Sequence, residues 1–215
     1  MSLLFADLSN NNPSFDAREY AKAGHLLIGL KATEGSTYVD KYHRRMTADA
    51  HEHDVAVAHY HFAQPNQGTP EAQARHFWRI VEPHFQHGDY VVLDLEVEHR
   101  HGAAVARAWA RAFNRELRRV SGHRAVLYSG RSFLDDYLTH RIRFGKGRFQ
   151  RFWVAEYGPR LNGIPWARPV WAWQRTDGKV GRRPYHLAGC PSPGHDVNVL
   201  GFRVGRHLRR VLHRA

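Results

Sequence analysis

The chain has 215 residues, 42% of them hydrophobic, and a formal net charge of +12 at pH 7. This length fits one medium-sized domain, and no stretch approaches the roughly 20 consecutive apolar residues of a membrane-spanning helix. The single cysteine, Cys190, excludes an internal disulfide, which fits folding in a reducing compartment. The positive charge would attract polyanions such as nucleic acid, an anionic membrane or an anionic cell wall, and charge alone does not choose among them.

Short β-rich runs alternate with helical patterns from one end of the chain to the other. The predicted strands are residues 3–7, 26–33, 55–62, 90–96, 125–129, 152–155, 170–174 and 197–200. The predicted helices are residues 16–23, 42–53, 70–81 and 103–120. In the last of these helices apolar residues recur every four positions, with arginines on the opposite side.

The alternation of strands and helices determines the expected fold. It implies parallel strands, and about eight of them predict a closed barrel. The predicted class is α/β, a single irregular (β/α)8-like barrel with few helices in its second half, because little helical pattern follows residue 152. No repeat or linker divides residues 1–215, so one domain without a separate binding module is expected. The basic segment 203–215 is expected to form a terminal helix packed on the barrel; the alternative is an adhesive tail.

Two carboxylates follow the apolar run at residues 90–93. Successive side chains of a strand alternate between its faces, so Asp94 and Glu96 should point the same way, opposite to Leu93 and Leu95. Like charges held close together cannot both ionise easily, and one of the two should keep its proton near neutral pH. A protonated acid beside an ionised one is suited to breaking a glycosidic bond. The alternative is an exposed strand end with two solvated acids.

Other acids also lie at strand ends. Asp7 ends the first predicted strand, and Asp196 introduces the last one. In a parallel barrel the catalytic groups sit at the C-terminal ends of the strands, so a closed barrel would bring these acids and the Asp94/Glu96 pair around one mouth. A single aspartate in such a position is more commonly a turn or cap residue.

Short motifs distributed along the chain point to a family. They are Asp7-Leu8-Ser9 with Asn12, Lys31-Ala32-Thr33-Glu34-Gly35 followed by Tyr38 and Asp40, Tyr60-His61-Phe62, Asp94-Leu95-Glu96, Tyr128-Ser129, Trp153-Val154-Ala155 with Tyr157, Trp173-Gln174, and Asp196-Val197-Asn198. In this order the motifs resemble those of the family 25 glycoside hydrolases, the Chalaropsis-type lysozymes of bacteria, fungi and phage endolysins. Each motif is short, and the ordered set is specific.

The resemblance implies an activity and roles for the acids. Family members are muramidases that cleave the β-1,4 bond between N-acetylmuramic acid and N-acetylglucosamine in peptidoglycan. By matching motif position, Glu96 would be the general acid/base, and Asp7, Asp94 and Asp196 would complete an acidic floor. Retention of configuration is implied, with Asp94 either orienting the substrate's acetamido group or acting as nucleophile or electrostatic stabiliser. No cofactor and no metal ion are expected.

The resemblance also places Lys31 near the sugar. By strand alternation Lys31 should leave its strand on the same face as Gly29 and Thr33, and a salt bridge that steadies the acids is the alternative role. Aromatic rings pack against the C–H faces of sugars, so aromatic residues on or just after the strands are candidates for substrate binding. These candidates are Tyr60, Tyr128, Trp153, Tyr157 and Trp173, with Trp171 also at the same predicted end. Two or three of them are expected to line the site.

Three rival functions are compatible with parts of the sequence. The pair His59/His61 could share a metal ion on one strand, although no third ligand follows at a convincing spacing. Nucleic-acid binding through the basic surface lacks a recognition motif. A wall-binding or phage structural protein with a vestigial active site is the third rival, and the intact acids argue against it.

The expected partner is bacterial peptidoglycan, together with anionic cell-wall polymers, and neither a membrane span nor a specific nucleic acid is expected. The chain is expected to act as a monomer. The first residues are too short and too quickly polar for a secretory signal. The prediction is therefore synthesis in the cytoplasm without a signal peptide, followed by action on the wall as a phage or prophage lysis enzyme or a virion-associated one.

Overall fold

The computed structural model describes residues 3–138, 142, 151–162, 170–191, 194–201 and 207–208. Within these ranges the strands are β1 (Leu4–Leu8), β2 (Leu27–Glu34), β3 (Tyr38–Val39), β4 (Ala56–Phe62), β5 (Tyr90–Asp94), β6 (Val126–Gly130), β7 (Phe152–Ala155), β8 (Val170–Thr176) and β9 (Asp196–Leu200). The main helices are α1 (Ala17–Lys22), α2 (His43–Glu52), α3 (Pro70–Val81) and α4 (Ala103–Ser121). A 3-10 turn covers Glu82–His84, and a helical turn at Arg131–Phe133 continues into a π-helix at Leu134–Leu138.

Eight of these strands form a closed barrel. The strand order is β1-β9-β8-β7-β6-β5-β4-β2, and a pairing between β1 and β2 closes the ring. The short strand β3 pairs with the end of β2 as an antiparallel extension outside the ring. The described connections after β7 contain turns and bends but no helix. The predicted fold class, an irregular (β/α)8-like barrel with few helices in its second half, is confirmed.

The last strand runs against the predicted direction. The other seven barrel strands pair in parallel, but β9 is antiparallel to both β1 and β8. The prediction of parallel strands is therefore wrong for β9. A helical crossover is needed to start a parallel strand at the opposite end of the barrel, whereas an antiparallel strand needs only a loop that stays at the same end. The connection from β8 to β9 has no helix in its described part, 177–191 and 194–195.

Two apolar layers hold the barrel together. Inside the ring, side chains such as Phe5, Val92 and Trp153 form one core. Outside it, α3 and α4 cover the sheet with Phe77 and Phe113, among others. No helix in the described ranges is long and apolar enough to cross a membrane.

The ends of the major helices follow from local chemistry. α3 begins at Pro70, and the preceding Thr69 accepts a hydrogen bond from the Ala72 backbone N–H at 3.2 Å. Proline suits the first turn of a helix because the missing N–H has no partner there in any case. α4 ends at Ser121 and is capped by Gly122, whose φ of +78° lies in the left-handed region that glycine adopts without strain. The predicted helices 70–81 and 103–120 are thereby confirmed to within one residue.

Other boundaries differ from the predictions. β5 ends at Asp94, two residues before the predicted end of that strand, so Glu96 lies in the loop that follows. The two-residue strand β3 and the helical segment at 131–138 were not predicted, because neither has an extended apolar pattern. The segment 203–215 lies outside the described residues except for 207 and 208.

Candidate active site

Four carboxylates come together at one end of the barrel. Asp7 of β1 is level with Gly29 of β2 and with Asp196 of β9, and Asp94 is the last residue of β5. A cavity of about 190 Å³ at this end is lined by Asp7, Ser9, Lys31, Tyr60, Phe62, Val92, Asp94, Glu96, Tyr128, Trp153 and Asp196. The structure thus brings together all four acids proposed from the sequence, together with Lys31, Tyr60, Tyr128 and Trp153.

The antiparallel direction of β9 is what brings Asp196 to this end. Asp196 is the first residue of its strand, whereas Asp7 and Asp94 lie near the ends of theirs. In a parallel strand a first residue would lie at the opposite end of the barrel. The reversal of β9 places Asp196 directly beside Asp7 in the sheet register.

The pair Asp7/Asp196 shares one proton. The Asp7 carboxylate accepts hydrogen bonds from Asn198 Nδ2 at 2.7 Å and from Gln174 Nε2 at 3.2 Å. Burial raises the pKa of Asp7, and the two amide donors together with Asp196 partly offset this effect. Burial, the charge of Asp7 and a hydrogen bond to Asp7 raise the pKa of Asp196 to about 9. Within the pair, Asp196 therefore holds the shared proton more strongly than Asp7.

The pair Asp94/Glu96 also shares a proton. Asp94 is only 6% exposed, and burial, followed by the charges of Glu96 and Asp7, raises its pKa well above the usual value. Burial also raises the pKa of Glu96, although Glu96 is an exposed residue whose carboxyl lies against the barrel near Gly130. A hydrogen bond between the two side chains favours the protonated form of Asp94 and the ionised form of Glu96. The free site thus holds its proton closer to Asp94.

One oxygen of Asp94 has no hydrogen-bond donor. Oδ1 is buried and accepts no hydrogen bond from any described part of the protein. A buried acceptor without a donor is costly, and such atoms in native structures commonly mark a place where a ligand or water binds. This oxygen is therefore available to a polar group of a molecule in the cavity.

Gly29 gives Asp7 the space it occupies. A Cβ atom on residue 29 would lie 2.6 Å from the Asp7 Cβ and 3.1 Å from the ring of Trp153. Real Cβ atoms essentially never come within 3.0 Å of another atom, so any larger residue would displace Asp7 and would also crowd the indole. The need for glycine here follows from the close approach of neighbouring strands β1 and β2.

Lys31 faces the cavity, whereas Thr33, which strand alternation places on the same face, does not. The register between β2 and β4 shifts between Lys31 and Thr33, which marks a bulge. Thr33 consequently turns to the outer face and bonds to His61 Nδ1 at 2.8 Å, so the prediction that it shares the face of Lys31 is wrong. The Lys31 ammonium pairs with Glu34 at 2.7 Å and lies 4.9 Å from the centre of the Phe62 ring.

The charge of Lys31 reaches the site even though its direct partner is outside the cavity lining. Its electrostatic effect lowers the pKa of Asp94, in opposition to the burial that raises it. The ion pair predicted as the alternative role thus forms with Glu34 and not with one of the four acids. The Lys31 ammonium group thus acts on Asp94 through its charge while the ion pair with Glu34 holds it in position.

Three aromatic residues of the cavity are held by hydrogen bonds at their polar ends. The Tyr60 hydroxyl donates to the Leu8 carbonyl at 3.2 Å, and the Tyr128 hydroxyl donates to Gln174 Oε1 at 2.8 Å. The Trp153 indole N–H donates to Asn198 Oδ1 at 2.7 Å. Their rings are therefore fixed before any ligand arrives, which limits the entropy lost on binding.

The remaining predicted aromatics lie elsewhere. Tyr157 is 44% exposed at the rim, and its hydroxyl donates to Gln174 Oε1 at 3.2 Å. Trp173 donates from its indole N–H to the Glu156 carbonyl at 2.7 Å and does not line the cavity. Trp171 is buried against Phe5, and the prediction that it shares the end of the site is wrong. As an early residue of β8 it belongs to the opposite end of the barrel.

Two amide side chains missed among the proposed site residues organise the acids. Gln174 Nε2 donates to Asp7 at 3.2 Å and to Asp196 at 3.1 Å, while its oxygen accepts from Tyr128 and Tyr157. Asn198 links Asp7 to Trp153. Both amides lie in motifs recognised from the sequence, and Asn198 shares the strand face of Asp196. The alternation of side chains along the strand could therefore have identified Asn198 as a site residue.

The histidine pair considered as a metal site has no free ring nitrogen. His59 bonds to His43 at 2.8 Å and to Asp89 at 3.2 Å. His61 bonds to Thr33 at 2.8 Å and to Gln73 at 3.0 Å. No group of three or more suitable ligands occurs among the residues that the structure describes. The pair therefore packs under the helices as part of the protein's own hydrogen-bond network.

Paired carboxyls of raised pKa at the mouth of a closed barrel are suited to the hydrolysis of a glycosidic bond. The family model for Glycosyl hydrolases family 25 matches residues 6–181. The chain therefore belongs to this family, and the resemblance drawn from the motifs is confirmed.

Similar proteins agree with this membership. Lysozyme M1 of Streptomyces globisporus is 26% identical over 185 residues, which cover 81% of this chain and 62% of that protein. The uncharacterized protein YegX of Escherichia coli O157:H7 is 30% identical over 154 residues, covering 69% of this chain and 52% of that protein. The chain thus spans about half to two thirds of the length of these relatives. The crystal structure of a lysozyme from Streptomyces coelicolor matches the fold with a TM-score of 0.79 at 22% identity, covering 100% of this chain and 99% of the other.

Proposed function

We propose that this chain is a peptidoglycan hydrolase of the lysozyme type, an N-acetylmuramidase that cleaves the β-1,4 bond between N-acetylmuramic acid and N-acetylglucosamine. The observation that carries the proposal is the convergence of Asp7, Asp94, Glu96 and Asp196 on one cavity with raised pKa values. Membership of the family and the similarity to a lysozyme support it. The substrate would be bacterial peptidoglycan.

Glu96 is proposed as the general acid/base. It is the most exposed of the four acids, so it is the one that an extended glycan crossing the mouth can reach. A bound sugar would expel water from around its carboxyl, and this loss of solvation raises the pKa of Glu96 further. The glutamic acid then gives its proton to the glycosidic oxygen as the C–O bond breaks. In the second step it takes a proton from the water whose oxygen bonds to the anomeric carbon.

Asp94 is proposed to act on the acetamido group of the sugar. Its buried Oδ1 lacks a donor within the described ranges, and an acetamide N–H would supply one. An ionised Asp94 would hold the acetamide so that its carbonyl oxygen attacks the anomeric carbon, and water opening the resulting ring would give retention of configuration. The alternative role is direct attack or electrostatic stabilisation by the Asp94 carboxylate. Either role requires the proton shared in the free site to move from Asp94 to Glu96 when substrate binds.

The supporting residues have distinct proposed tasks. Asp7 gives up the shared proton more readily than Asp196, and in its ionised form it would add negative charge near the developing oxocarbenium ion. Asp196 would hold Asp7 through their shared hydrogen bond. Tyr60, Tyr128 and Trp153 would pack against the sugar inside the cavity, and Tyr157 would contact it at the rim. For Trp173 we propose an indirect role through the Glu156 carbonyl that it binds.

The wider biological proposal concerns delivery. We propose that residues 1–215 act as one monomeric catalytic domain held on the wall by their positive charge, in a phage or prophage lysis enzyme or a virion-associated one. The net charge of +12 supports attraction to anionic wall polymers.

The central test compares Glu96→Gln with Glu98→Gln. Glu98 lies on the same loop and does not line the cavity, so it is a matched control for the loss of one carboxylate. Loss of the proton donor should reduce the release of reducing ends from purified peptidoglycan by about 10²–10⁴-fold, while the thermal unfolding curve stays the same. Analysis of the products should place the new reducing end on N-acetylmuramic acid. Near-normal turnover by Glu96→Gln, or binding of the wall without hydrolysis by the unmodified protein, would contradict the proposal.

A further inference from the structure

A second and larger cavity lies at the end of the barrel opposite the acids. Its volume is about 700 Å³, against about 190 Å³ for the active-site cavity. Tyr90 and Trp171 line it from the beginnings of β5 and β8. Arg124 and Arg151 line it from just before β6 and β7. These four positions are at the N-terminal ends of parallel strands, whereas the active site is at the C-terminal ends.

The walls of this cavity are strongly basic. Arg118 contributes from the last turn of α4, in addition to Arg124 and Arg151. Across the described ranges, none of these three guanidinium groups takes part in a salt bridge or a side-chain hydrogen bond. Three histidines also line the cavity: His87, His123 and His207. Guanidinium groups without partners around a concave surface are well placed to bind an anion.

The acidic residue in the described lining does not neutralise these charges. The side chain of Asp89 is 1% exposed and points into the protein. Its oxygens accept hydrogen bonds from His51, His59, the Val57 backbone and the Gln86 backbone. Asp89 is thus hydrogen-bonded within the fold and turned away from the cavity, which presents the arginine cations to the solvent.

We propose that this cavity binds a phosphodiester polymer of the bacterial wall, a polyol-phosphate chain, and so holds the enzyme on its substrate. The choice of a wall polymer rests on the proposed function. The planar guanidinium fork matches the oxygens of a phosphate, and three arginines around one cavity match phosphates that recur along a chain. Phe85 and Tyr90 offer apolar surface to the polyol carbons. A DNA duplex is too wide to enter a space of about 700 Å³.

The position of the cavity allows the enzyme to bind the polymer and the glycan at the same time. Because it lies at the opposite end of the barrel from Glu96, a bound polymer leaves the catalytic mouth open to the glycan. Holding the enzyme near its substrate raises the local substrate concentration without adding contacts in the active site. The same charges would otherwise act only as diffuse surface attraction, which salt screens efficiently.

The test measures binding of soluble, fluorescently labelled polyglycerol phosphate that contains no peptidoglycan. The triple variant Arg118→Gln/Arg124→Gln/Arg151→Gln is compared with the control Arg18→Gln/Arg44→Gln/Arg115→Gln. The control removes the same charge from exposed arginines that do not line this cavity. The cavity variant should lose roughly tenfold in affinity at physiological salt, since three solvent-accessible charge contacts of ordinary strength amount to about one decade. The control variant should lose less than about twofold in affinity for the polymer.

The three single variants are measured as well. Each should lose part of the affinity for the polymer, and the three losses together should account for the loss in the triple variant. Equal losses in the cavity and control variants would overturn the proposal, because they would indicate attraction by overall charge alone. Tighter binding of single-stranded DNA with the same number of phosphates, lost in the same variants, would also overturn it and assign the cavity to nucleic acid.

The two proposals fail in different ways. Turnover is measured separately on peptidoglycan stripped of phosphate polymers, where the cavity variant should match the unmodified protein. A protein that binds the polymer through the three arginines but releases no reducing ends would contradict the proposed hydrolase and leave the cavity assignment standing. A protein that hydrolyses the stripped wall but binds no polymer would contradict only the cavity assignment.

Discussion

At the scale of single residues, the site depends on which carboxyl of each pair holds the proton. Burial raises the pKa of Asp7, and two amide donors together with Asp196 partly offset this rise. Burial, the charge of Asp7 and the hydrogen bond to Asp7 raise the pKa of Asp196 to about 9, although Gln174 also donates to it at 3.1 Å. The difference between two aspartates level in the sheet therefore comes from their neighbours and not from their residue type.

This protonation has a consequence for stability. The unfolded chain releases the Asp196 proton near pH 4, whereas the folded protein keeps it up to about pH 9. Stability from this residue is therefore fully present below about pH 4 and is lost as the pH rises toward 9, by at most about 1.4 kcal/mol per pH unit. Asp196→Asn cannot titrate, so its free energy of unfolding relative to the unmodified protein should increase steadily from pH 5 to pH 8.

Urea unfolding at several pH values measures this difference. Asp136→Asn, which removes an exposed aspartate, is the control and should give a curve parallel to that of the unmodified protein. Parallel curves for Asp196→Asn as well would mean that Asp196 is ionised in the folded protein. The assignment of the shared proton to Asp196 would then be wrong.

Strand alternation predicts some residue positions and not others. It correctly places Asp94 and Glu96 on one face, and Leu93 and Leu95 in the layer under the helices. It could not predict which acid of a pair is protonated, because that depends on donors such as Gln174 that are distant along the chain. The bulge after Lys31 also escaped prediction, since a single extra residue in a strand leaves little trace in an apolar pattern.

At the scale of elements, β9 determines the composition of the site. The sequence pattern identified β9 as a strand but not its direction, because both directions produce the same alternation of side chains. The direction of a strand is determined by the connection that precedes it. The connection from β8 to β9 has no helix in its described part and starts β9 at the same end of the barrel where β8 ends. The reversal brings both Asp196 and Asn198 to the acids, so it affects chemistry as well as topology.

Asn198 is the main polar link between β9 and the strands around it. It is fully buried and bonds to Asp7 and the Phe5 carbonyl of β1 and to the Trp153 indole of β7. Asn198→Ala would leave the buried indole N–H without an acceptor and Asp7 without its shortest hydrogen bond. Each buried group that loses a partner costs about 1–3 kcal/mol, so for the two groups together we expect a loss of roughly 2–6 kcal/mol in the free energy of unfolding.

Chemical denaturation measures this loss, and Asn11→Ala, at an exposed position, is the control. Because Asp7 would lose a donor to its ionised form, its pKa should rise, and turnover at neutral pH should fall together with stability. A variant as stable as the control would show that backbone pairing alone holds β9 in place. The Asn198 amide would then have no part in the stability of the barrel.

At the scale of the whole molecule, the barrel carries two sets of buried titratable groups with opposite effects. The acids at the mouth have raised pKa values, so they stabilise the fold less as the pH rises. Under the helices, burial lowers the pKa values of His43, His59 and His61. These histidines stabilise the fold less as the pH falls. The pH of maximum stability therefore reflects a balance between the functional end and the supporting layer.

The supporting layer can be tested through His61. Burial lowers the pKa of His61 to about 4, and its two ring nitrogens bond to Thr33 and Gln73. Its contribution is fully present above about pH 6.5 and is lost toward pH 4, by about 1.4 kcal/mol per unit, because only the unfolded chain binds the proton in this window. His61→Gln should be less stable at pH 7, because it loses ring packing against Phe113, but its stability should fall less steeply between pH 6.5 and pH 4. The measurement is urea unfolding across this range with the exposed His87→Gln as control, and an unchanged slope in His61→Gln would mean that His61 accepts its proton inside the folded protein.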